Sequence, residues 1–307
     1  MKLLVVGASG FIGTNFILAA PRNWEIIATY NKSNRLQKII KGKKLKKVKL
    51  VKCNLTDEKS VRGLQRIIGK NPINVLYLAA NSDPQISIRD PIKDLKENTL
   101  SLVNFLEKIA VNKLLYFSSG AVYDGIRGSV NPNSKLDPKL PYAISKLACE
   151  QYIKHFHKIG KVKQYVIIRF FGAYGPYEPS RKIYSKLIQA FYINKQKNFT
   201  AYGDGKNLID AVYIDQITSA IKKILLSKKV NLVVDLCHAK PITIDQLVKK
   251  AAKTFGIKNP KIKHIGKSAE PIYFRPSQKG MHEYFGIQLK DNLDKSLKKF
   301  AEHFKAK

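Results

Sequence analysis

Apolar positions follow two alternating patterns along the first 170 residues of the chain. Short apolar runs, several of them rich in branched residues, alternate with stretches in which apolar positions recur every three or four residues. The short runs are typical of strands buried on both faces of a parallel sheet, and the longer stretches predict amphipathic helices. This alternation predicts an α/β fold, a doubly wound parallel sheet of the Rossmann type. The predicted strands cover residues 3–6, 24–30, 48–53, 74–80, 113–118 and 166–170.

The two longest predicted helices follow the fourth and fifth of these strands. One covers residues 91–111, and the other begins near Tyr142. Each has an apolar face at helical spacing, which we expect to pack against the sheet. The predicted core positions are Leu95, Leu102, Leu106 and Ile109 in the first helix and Ala148, Tyr152 and Phe156 in the second.

The regular alternation loosens beyond Tyr177, where short extended and helical stretches are mixed. We therefore predict a dinucleotide-binding Rossmann domain over residues 1–170, to which the chain returns around residues 211–238. The remaining residues, 171–307, are predicted to form mainly a smaller substrate-binding region.

Three glycines follow the first predicted strand at once. Gly7 suits a tight turn, Gly10 allows close approach of a diphosphate to the backbone, and Gly13 allows the next helix to pack on the strand. That helix would begin near Phe11 and Ile12 and direct its partial positive charge at the phosphates. The pattern predicts a dinucleotide-binding loop, and an ordinary glycine turn is the alternative.

The end of the second predicted strand lacks the carboxylate that usually binds the adenosine 2′-hydroxyl in such folds. Asn31, Lys32 and Arg35 follow the strand instead. Cations at this place would pair with a 2′-phosphate, so NADP(H) is favoured over NAD(H) as the cofactor. The alternative is that Lys32 and Arg35 are ordinary surface cations.

Composition adds a strong positive charge to a chain of ordinary hydropathy. The formal charge is +34 and the hydrophobic content 44%, without an apolar run long enough to span a membrane. The densest basic run covers residues 41–52, which indicates either a lysine-rich solvated surface or nucleic-acid binding. The three cysteines are widely spaced, which predicts no metal site and no disulfide framework. No export signal is visible, so we expect a cytoplasmic protein.

Candidate chemistry lies in Ser119, Tyr142 and Lys146. A tyrosine four residues before a lysine places both on one helical face, where the ammonium can favour the phenolate. A serine hydroxyl from a neighbouring strand end could hold a substrate carbonyl or alcohol against the phenol. The three side chains together would suit hydride transfer at a carbinol carbon, although a Tyr-x-x-x-Lys spacing also arises by chance on many helices.

These segments together resemble the extended short-chain dehydrogenase/reductase family, in its nucleotide-sugar epimerase, dehydratase and reductase branch. The resemblance extends over nearly the whole chain and includes residues 7–13, 78–80, 87–91, 98, 118–123, 141–146, 169–176 and 202–205. It implies that Tyr142 is the general acid/base, that Lys146 lowers its pKa and binds the nicotinamide ribose, and that Ser119 is the hydroxyl partner. It also implies a homodimer through the helices beginning near Pro91 and Tyr142.

The same resemblance assigns further residues to the two ends of the cleft. Asn98 would support the active-site helix and a proton relay. The adenosine and ribose path would be lined by Asp57, Leu55, Ala79 and Ala80, and Asn54 is also predicted to bind the cofactor. The predicted substrate-binding residues are Asn81, Ser119, Gly120, Tyr142, Gly172 and Arg275.

The chain departs from the family pattern at three places. Dehydratases carry an acidic pair after the serine, where this chain has Gly120 and Ala121, so a 4,6-dehydratase is not expected. Gly172 and Ile209 stand where sugar-nucleotide enzymes usually have an asparagine and an arginine that hold the nucleotide. Arg275 matches a phosphate-binding arginine of the family.

The sequence thus predicts an NAD(P)(H)-dependent oxidoreductase acting on a sugar carbonyl or hydroxyl, with a nucleotide sugar as the small-molecule substrate. A 4-keto-sugar reductase is the favoured hypothesis, and an NAD-dependent nucleotide-sugar C4 epimerase is the alternative. A carbonyl reductase for non-nucleotide substrates and a nucleic-acid-binding scaffold are the further alternatives.

Overall fold

Strands and helices alternate through the first half of the chain. The structure, a computed structural model, describes residues 1–33, 35–266 and 272–305. The strands are β1 (Lys2–Val6), β2 (Glu25–Tyr30), β3 (Val48–Lys52), β4 (Ile73–Tyr77), β5 (Val111–Ser119), β6 (Gly128–Ser129), β7 (Val162–Phe170), β8 (Ala173–Tyr174), β9 (Asn198–Tyr202), β10 (Leu208–Ile209), β11 (Val212–Tyr213), β12 (Leu232–Leu236), β13 (Ile242–Thr243), β14 (Lys261–Ile265) and β15 (Phe274–Arg275). The α-helices are α1 (Phe11–Ala19), α2 (Arg35–Gly42), α3 (Glu58–Ile68), α4 (Pro84–Arg89), α5 (Pro91–Leu95), α6 (Ser101–Lys108), α7 (Pro141–Lys158), α8 (Ile183–Leu187), α9 (Ile214–Leu226), α10 (Ile244–Thr254), α11 (Lys279–Phe285) and α12 (Leu293–Lys305).

Within the described residues the largest sheet has seven strands, in the order β12-β7-β5-β4-β1-β2-β3. The pairs β1–β2, β1–β4, β2–β3, β4–β5 and β5–β7 are parallel. After β3 the chain crosses to the other side of β1, so the strand order reverses between β1 and β4. The predicted doubly wound α/β fold is confirmed, and such a reversal is where this class of sheet binds its ligands.

A buried apolar cluster joins one face of the sheet to the helices that cover it. Each fully buried aliphatic or aromatic side chain contributes about 1.5–3 kcal/mol, so this cluster fixes the strand ends that carry the loops. Its members include Leu4, Val6, Val75, Leu114 and Ile167 from strands and Val61, Leu64, Leu102, Phe105 and Ile153 from helices.

The helical stretch after Pro91 is interrupted by a π-helical turn at Lys96–Leu100, between α5 and α6. A π turn bonds residue i to i+5 and therefore rotates the residues before it relative to those after it. The predicted burial of Leu95 is consequently wrong, because its side chain is 53% exposed. The other three predicted core positions are buried: Leu102, Leu106 and Ile109.

The inner face of α7 combines apolar side chains with polar and charged ones. Phe156 is buried as predicted, but Tyr152 is 42% exposed and Ala148 only half-buried. The buried positions include polar and charged groups, which a search for apolar periodicity overlooks: Tyr142, Ser145, Lys146 and Glu150. This face matters for the candidate site.

Two compact units can be separated in the chain. The first comprises Met1–Asp124, Pro132–Phe170 and Thr218–Val234. The second comprises Gly125–Asn131, Phe171–Ile217 and the residues from Asp235 onward. Short strand pairs characterise the second unit: β6–β15, β8–β11, β9–β14 and β10–β13. Among the helices of the described residues, none is both long and apolar enough to cross a membrane.

Candidate active site

The glycine loop after β1 and the start of α1 are packed so closely that Gly7 and Gly13 must be glycine. Gly7 has φ +81°, and a Cβ there would lie 2.6 Å from the backbone nitrogen of Ala79. A Cβ on Gly13 would lie 2.7 Å from the carbonyl oxygen of Gly7. Both distances are shorter than any real contact, and the opposing atoms are backbone. The loop therefore lies against the end of β4 only because these side chains are absent.

The N-terminus of α1 provides a place for an anion. Gly10 is its N-cap, with φ −72° and ψ 176°, and no side chain caps the first turn at Phe11 and Ile12. A Cβ on Gly10 would meet only the oxygen of Gly7, at 3.3 Å, so space remains in front of it. Backbone N–H groups at a helix N-terminus bind phosphate well. These residues fit a dinucleotide diphosphate.

The polar residues after β2 lie beside this loop. Thr29 is buried, and its Oγ1 accepts a hydrogen bond of 3.1 Å from the amide of Gly7. Arg35 extends back to the loop, where its Nη2 donates to the carbonyl oxygen of Ser9 at 3.3 Å. Asn31 and Lys32 are exposed. The end of β2 thus offers a guanidinium next to the glycine loop.

The residues predicted along the adenosine path follow β3 and β4, which are separated in the sheet by β1 and β2. Asn54 folds its side chain back, and its Oδ1 accepts hydrogen bonds from the amide and hydroxyl of Thr56. The carbonyl oxygen of Leu55 accepts from Asn104 Nδ2 at 2.9 Å, and Ala79 and Ala80 are half-buried beyond β4. The topology brings these ends to the same sheet edge as the glycine loop.

Ser119 and Tyr142 meet at the carboxyl end of β5. Ser119 is the last residue of the strand, and its Oγ accepts from the amide of Ala121 at 3.1 Å. Its side chain also hydrogen-bonds to the phenol of Tyr142, which lies in the first turn of α7 and is 8% exposed. The structure therefore brings together a strand-end serine and a helical tyrosine that are 23 residues apart in the sequence.

Burial raises the pKa of Tyr142 to about 12, and the hydrogen bond from Ser119 acts in the opposite direction. Desolvation of the phenolate thus outweighs the Ser119 hydrogen bond, and the expected lowering of this pKa by Lys146 stays a prediction. Lys146 Nζ lies 5.9 Å from the Tyr142 ring centroid and donates to the Phe117 oxygen at 3.0 Å. Burial also lowers the pKa of Lys146.

Two asparagines predicted for the site meet on an aspartate that sequence reasoning missed. Asp94 Oδ1 accepts from Asn81 Nδ2 at 2.9 Å and from Asn98 Nδ2 at 2.8 Å. All three side chains are buried, and Asp94 is fully so. A usable signal existed, since Asp94 and Asn98 are four residues apart on the stripe that continues with Leu102. Two polar groups on an apolar stripe indicate a buried polar cluster.

A second missed network holds β5, α7 and β7 together. Arg169 forms a bidentate ion pair with Glu150, with Nε–Oε1 3.1 Å and Nη2–Oε2 2.9 Å. Ser118 Oγ donates to the same Glu150 carboxylate at 2.6 Å. Because Ser118 precedes Ser119 and Glu150 shares a helix with Tyr142, this buried network fixes β5 and α7 in register.

The remaining predicted substrate residues lie in both units. Gly120 is buried and begins a 3₁₀ turn in the first unit. Gly172 belongs to the second unit, and a Cβ there would lie 3.0 Å from the oxygen of Asp210. Ile209 is half-buried on β10, and Arg275 is exposed on β15. The assignment of these residues to a substrate remains a prediction.

Comparison with known proteins agrees with this arrangement. The model of the NAD dependent epimerase/dehydratase family matches residues 3–235. The dTDP-D-glucose 4,6-dehydratase of Dictyostelium discoideum is 30% identical over 73% of this chain and 55% of its own length. The UDP-glucuronate 4-epimerase of Thermodesulfobacterium geofontis is 27% identical over 83% of this chain and 81% of its own length.

Solved structures agree on the fold. The UDP-glucuronic acid 4-epimerase of Bacillus cereus, in complex with UDP-glucuronic acid and NAD, superposes with a TM-score of 0.87 at 22% identity, over 100% of this chain and 99% of that one. The glycine loop lies at the strand reversal, and Ser119 ends a strand at the same carboxyl edge of the sheet. The family model matches most of the chain. This chain therefore belongs to the NAD dependent epimerase/dehydratase family, whose members are enzymes of the short-chain dehydrogenase/reductase type with a nicotinamide cofactor.

Proposed function

We propose that this protein catalyses epimerisation at C4 of a nucleotide sugar, with a nicotinamide cofactor that is oxidised and reduced within one turnover. The observation that supports this most is the hydrogen-bonded pair of Ser119 and Tyr142 at the carboxyl edge of the sheet, beside the buried Lys146. Relatives over most of the chain are named as 4-epimerases of nucleotide sugars.

Each side chain has a distinct task in this proposal. Ser119 hydrogen-bonds the hydroxyl at the reacting carbon and holds it against Tyr142. The Tyr142 phenolate accepts the hydroxyl proton while hydride leaves that carbon, and it returns the proton when hydride is added to the other face. An oxidised nicotinamide bound here would supply the hydride acceptor and a positive charge, which would oppose the raised pKa of Tyr142.

Two neighbouring reactions are less well supported. A 4-keto-sugar reductase, favoured by the sequence, finds no support among the relatives named above, which are epimerases and a dehydratase. A 4,6-dehydratase needs an acidic pair after the serine. Here Gly120 and Ala121 form a 3₁₀ turn without a carboxylate, so elimination of water lacks its acid and base.

The experiment is a screen of UDP- and dTDP-linked sugars in which products are separated by chromatography. An epimerase converts a sugar to its C4 epimer with no net change in reduced-nicotinamide absorbance and without a stoichiometric reductant. Tyr142→Phe should lose about 100-fold or more in kcat while keeping cofactor affinity. Net consumption of reduced cofactor would instead establish the reductase.

We also propose that the cofactor site accepts NADP(H) in preference to NAD(H). Arg35 beside the glycine loop would pair with a 2′-phosphate, and the end of β2 presents no carboxylate to repel one. Arg35→Gln should weaken NADPH about tenfold and leave NADH nearly unchanged. Lys38→Gln, an exposed cation on the same helix, is the matched control. Tighter binding of NADH by the natural protein would contradict this preference.

We further propose a homodimer formed through α5 and α7, which pack against each other. Both helices and the π turn between α5 and α6 carry exposed apolar side chains, a pattern that marks interaction surfaces. They are Ile92, Leu95, Leu100, Ile144 and Tyr152. Light scattering should give a dimer for the natural protein and a monomer for Ile92→Glu. Ile193→Glu, at a comparably exposed position elsewhere, should remain dimeric.

A further inference from the structure

Asp94 is a buried carboxylate at the candidate site, and the chemistry proposed above makes no use of it. Its side chain is 0% exposed, on the short helix α5. Oδ1 accepts two hydrogen bonds, from Asn81 and Asn98. Oδ2 is buried and has no hydrogen-bond partner among the described residues, and the same holds for Asn98 Oδ1.

Two unpartnered acceptors in one buried cluster require an explanation. A buried polar atom without a partner costs about 1–3 kcal/mol, and more when it belongs to a charged group. Two acceptors cannot satisfy each other, so each needs an N–H or O–H donor. A water molecule that donates one hydrogen to each would satisfy both. Packing alone therefore does not explain why these two polar groups are buried here.

The charges around Lys146 indicate that reason. The titratable groups that face Lys146 come from β5, α7 and α5: Tyr116, Tyr142, Cys149, Glu150 and Asp94. Burial raises the pKa of Tyr116 and of Cys149, so both stay neutral near pH 7. The charge of Glu150 is already paired with Arg169. Asp94, which forms no ion pair with the described residues, is the remaining negative charge.

Lys146 needs such a charge. It is 3% exposed, and burial favours its neutral form. Its Nζ donates to the Phe117 oxygen at 3.0 Å and lies 3.4 Å from the hydroxyl of Tyr116, both uncharged acceptors. These hydrogen bonds hold the side chain in place but do not balance its charge.

We propose that Asp94 is a positioning residue of the active site, which fixes Asn81 and Asn98 through Oδ1 and keeps Lys146 cationic through its buried negative charge. The inference rests on the proposed function, because it assigns Lys146 to the cofactor and Tyr142 to proton transfer. Asp94 touches neither the reacting atoms nor the cofactor in this account and acts through its neighbours.

The charge is tested with Asp94→Asn, which keeps an oxygen to accept from Asn81 and Asn98. The negative charge raises the pKa of both Tyr142 and Lys146, so its removal lowers both. Both limbs of the kcat profile should therefore move to lower pH, by about one pH unit. Glu97→Gln, which removes a charge one turn away without touching the cluster, should leave the profile in place.

The positioning role is tested with Asp94→Ala, which also removes the acceptor. Loss of the hydrogen bond that fixes Asn81 should raise KM for the nucleotide sugar about tenfold relative to Asp94→Asn. Thermal midpoints of all variants are measured in parallel. Should Asp94→Asn be insoluble, Asp94→Ser leaves room for water and allows the same comparison.

A second measurement separates this inference from the proposed function. The affinity for reduced cofactor, NADPH or NADH, is titrated by fluorescence across the pH range without any sugar. The alkaline loss of affinity should begin about one pH unit lower in Asp94→Asn, since Lys146 loses its proton sooner. If this shift in cofactor affinity is seen but no sugar is epimerised, the proposed function is overturned and the role of Asp94 stands. If Asp94→Asn matches the natural protein and Glu97→Gln in both pH profiles, the role of Asp94 is refuted.

Discussion

The ion pair of Arg169 and Glu150 gives the largest predicted effect of a single substitution. Arg169→Met removes both bonds to the carboxylate and a further bond of 3.0 Å to the hydroxyl of Tyr123. The Glu150 charge, 0% exposed, would stay buried, and among the described residues only Ser118 Oγ would still donate to it. Removing one partner of a buried pair costs about 3–5 kcal/mol.

For a chain of this size that loss lowers the thermal midpoint by about 5–8 °C. The assay is thermal and urea unfolding followed by circular dichroism at pH 7. Replacing both partners by methionine should recover more than half of the loss, because the uncompensated charge disappears along with its partner. Lys298→Met, which breaks the exposed pair with Asp294, should change stability by less than about 1 kcal/mol.

The reasoning would be refuted by either of two results. One is a loss below about 1 kcal/mol in Arg169→Met, equal to that of the exposed control. The other is a double variant no more stable than Arg169→Met, since burial of an unpaired charge would then not be the cause.

Two further predictions concern single positions. Gly13→Ala should abolish cofactor binding and lower the thermal midpoint, because the added Cβ would lie 2.7 Å from backbone atoms. Gly63→Ala is the control: a Cβ there meets open space on α3, so this variant should stabilise the fold by about 0.5–1 kcal/mol. Equal behaviour of the two alanine variants in calorimetry would contradict the close packing of the loop. Lys113 donates to carbonyl oxygens at the end of α9, and burial lowers its pKa to about 8. Between pH 8 and 10.5 the unfolded chain therefore keeps a proton on Lys113 that the folded chain has lost. The free energy of unfolding of the natural protein should rise relative to that of Lys113→Met as the pH increases through this window. A constant difference in thermal midpoint between the two proteins would disprove the assignment.

Local sequence patterns were sufficient wherever one element by itself sets the outcome. Gly7 and Gly13 follow an apolar strand, and their spacing allowed the turn and the close helix to be predicted. Tyr142 and Lys146 lie one helical turn apart, which places them on one face whatever surrounds them. The alternation of strands and helices determined the fold class for the same reason.

Patterns failed where a helix departs from regular geometry or where a second element sets the outcome. The exposure of Leu95 follows from a π turn, and the burial of Glu150 on α7 follows from its partner Arg169 on β7. Neither is visible in the periodicity of one segment, because that periodicity assumes a regular helix with an apolar inner face.

The sequence by itself determined the doubly wound fold, the glycine loop and the placement of Tyr142 and Lys146 on one helical face, because each depends on spacing within one strand or helix. Only the tertiary structure decided the electrostatics of the site. Burial of Tyr142 raises its pKa, and the charge of Asp94, on a different helix, raises the pKa of Lys146. The physical reason is that desolvation and charge–charge interaction depend on distances through space, and only folding sets those distances.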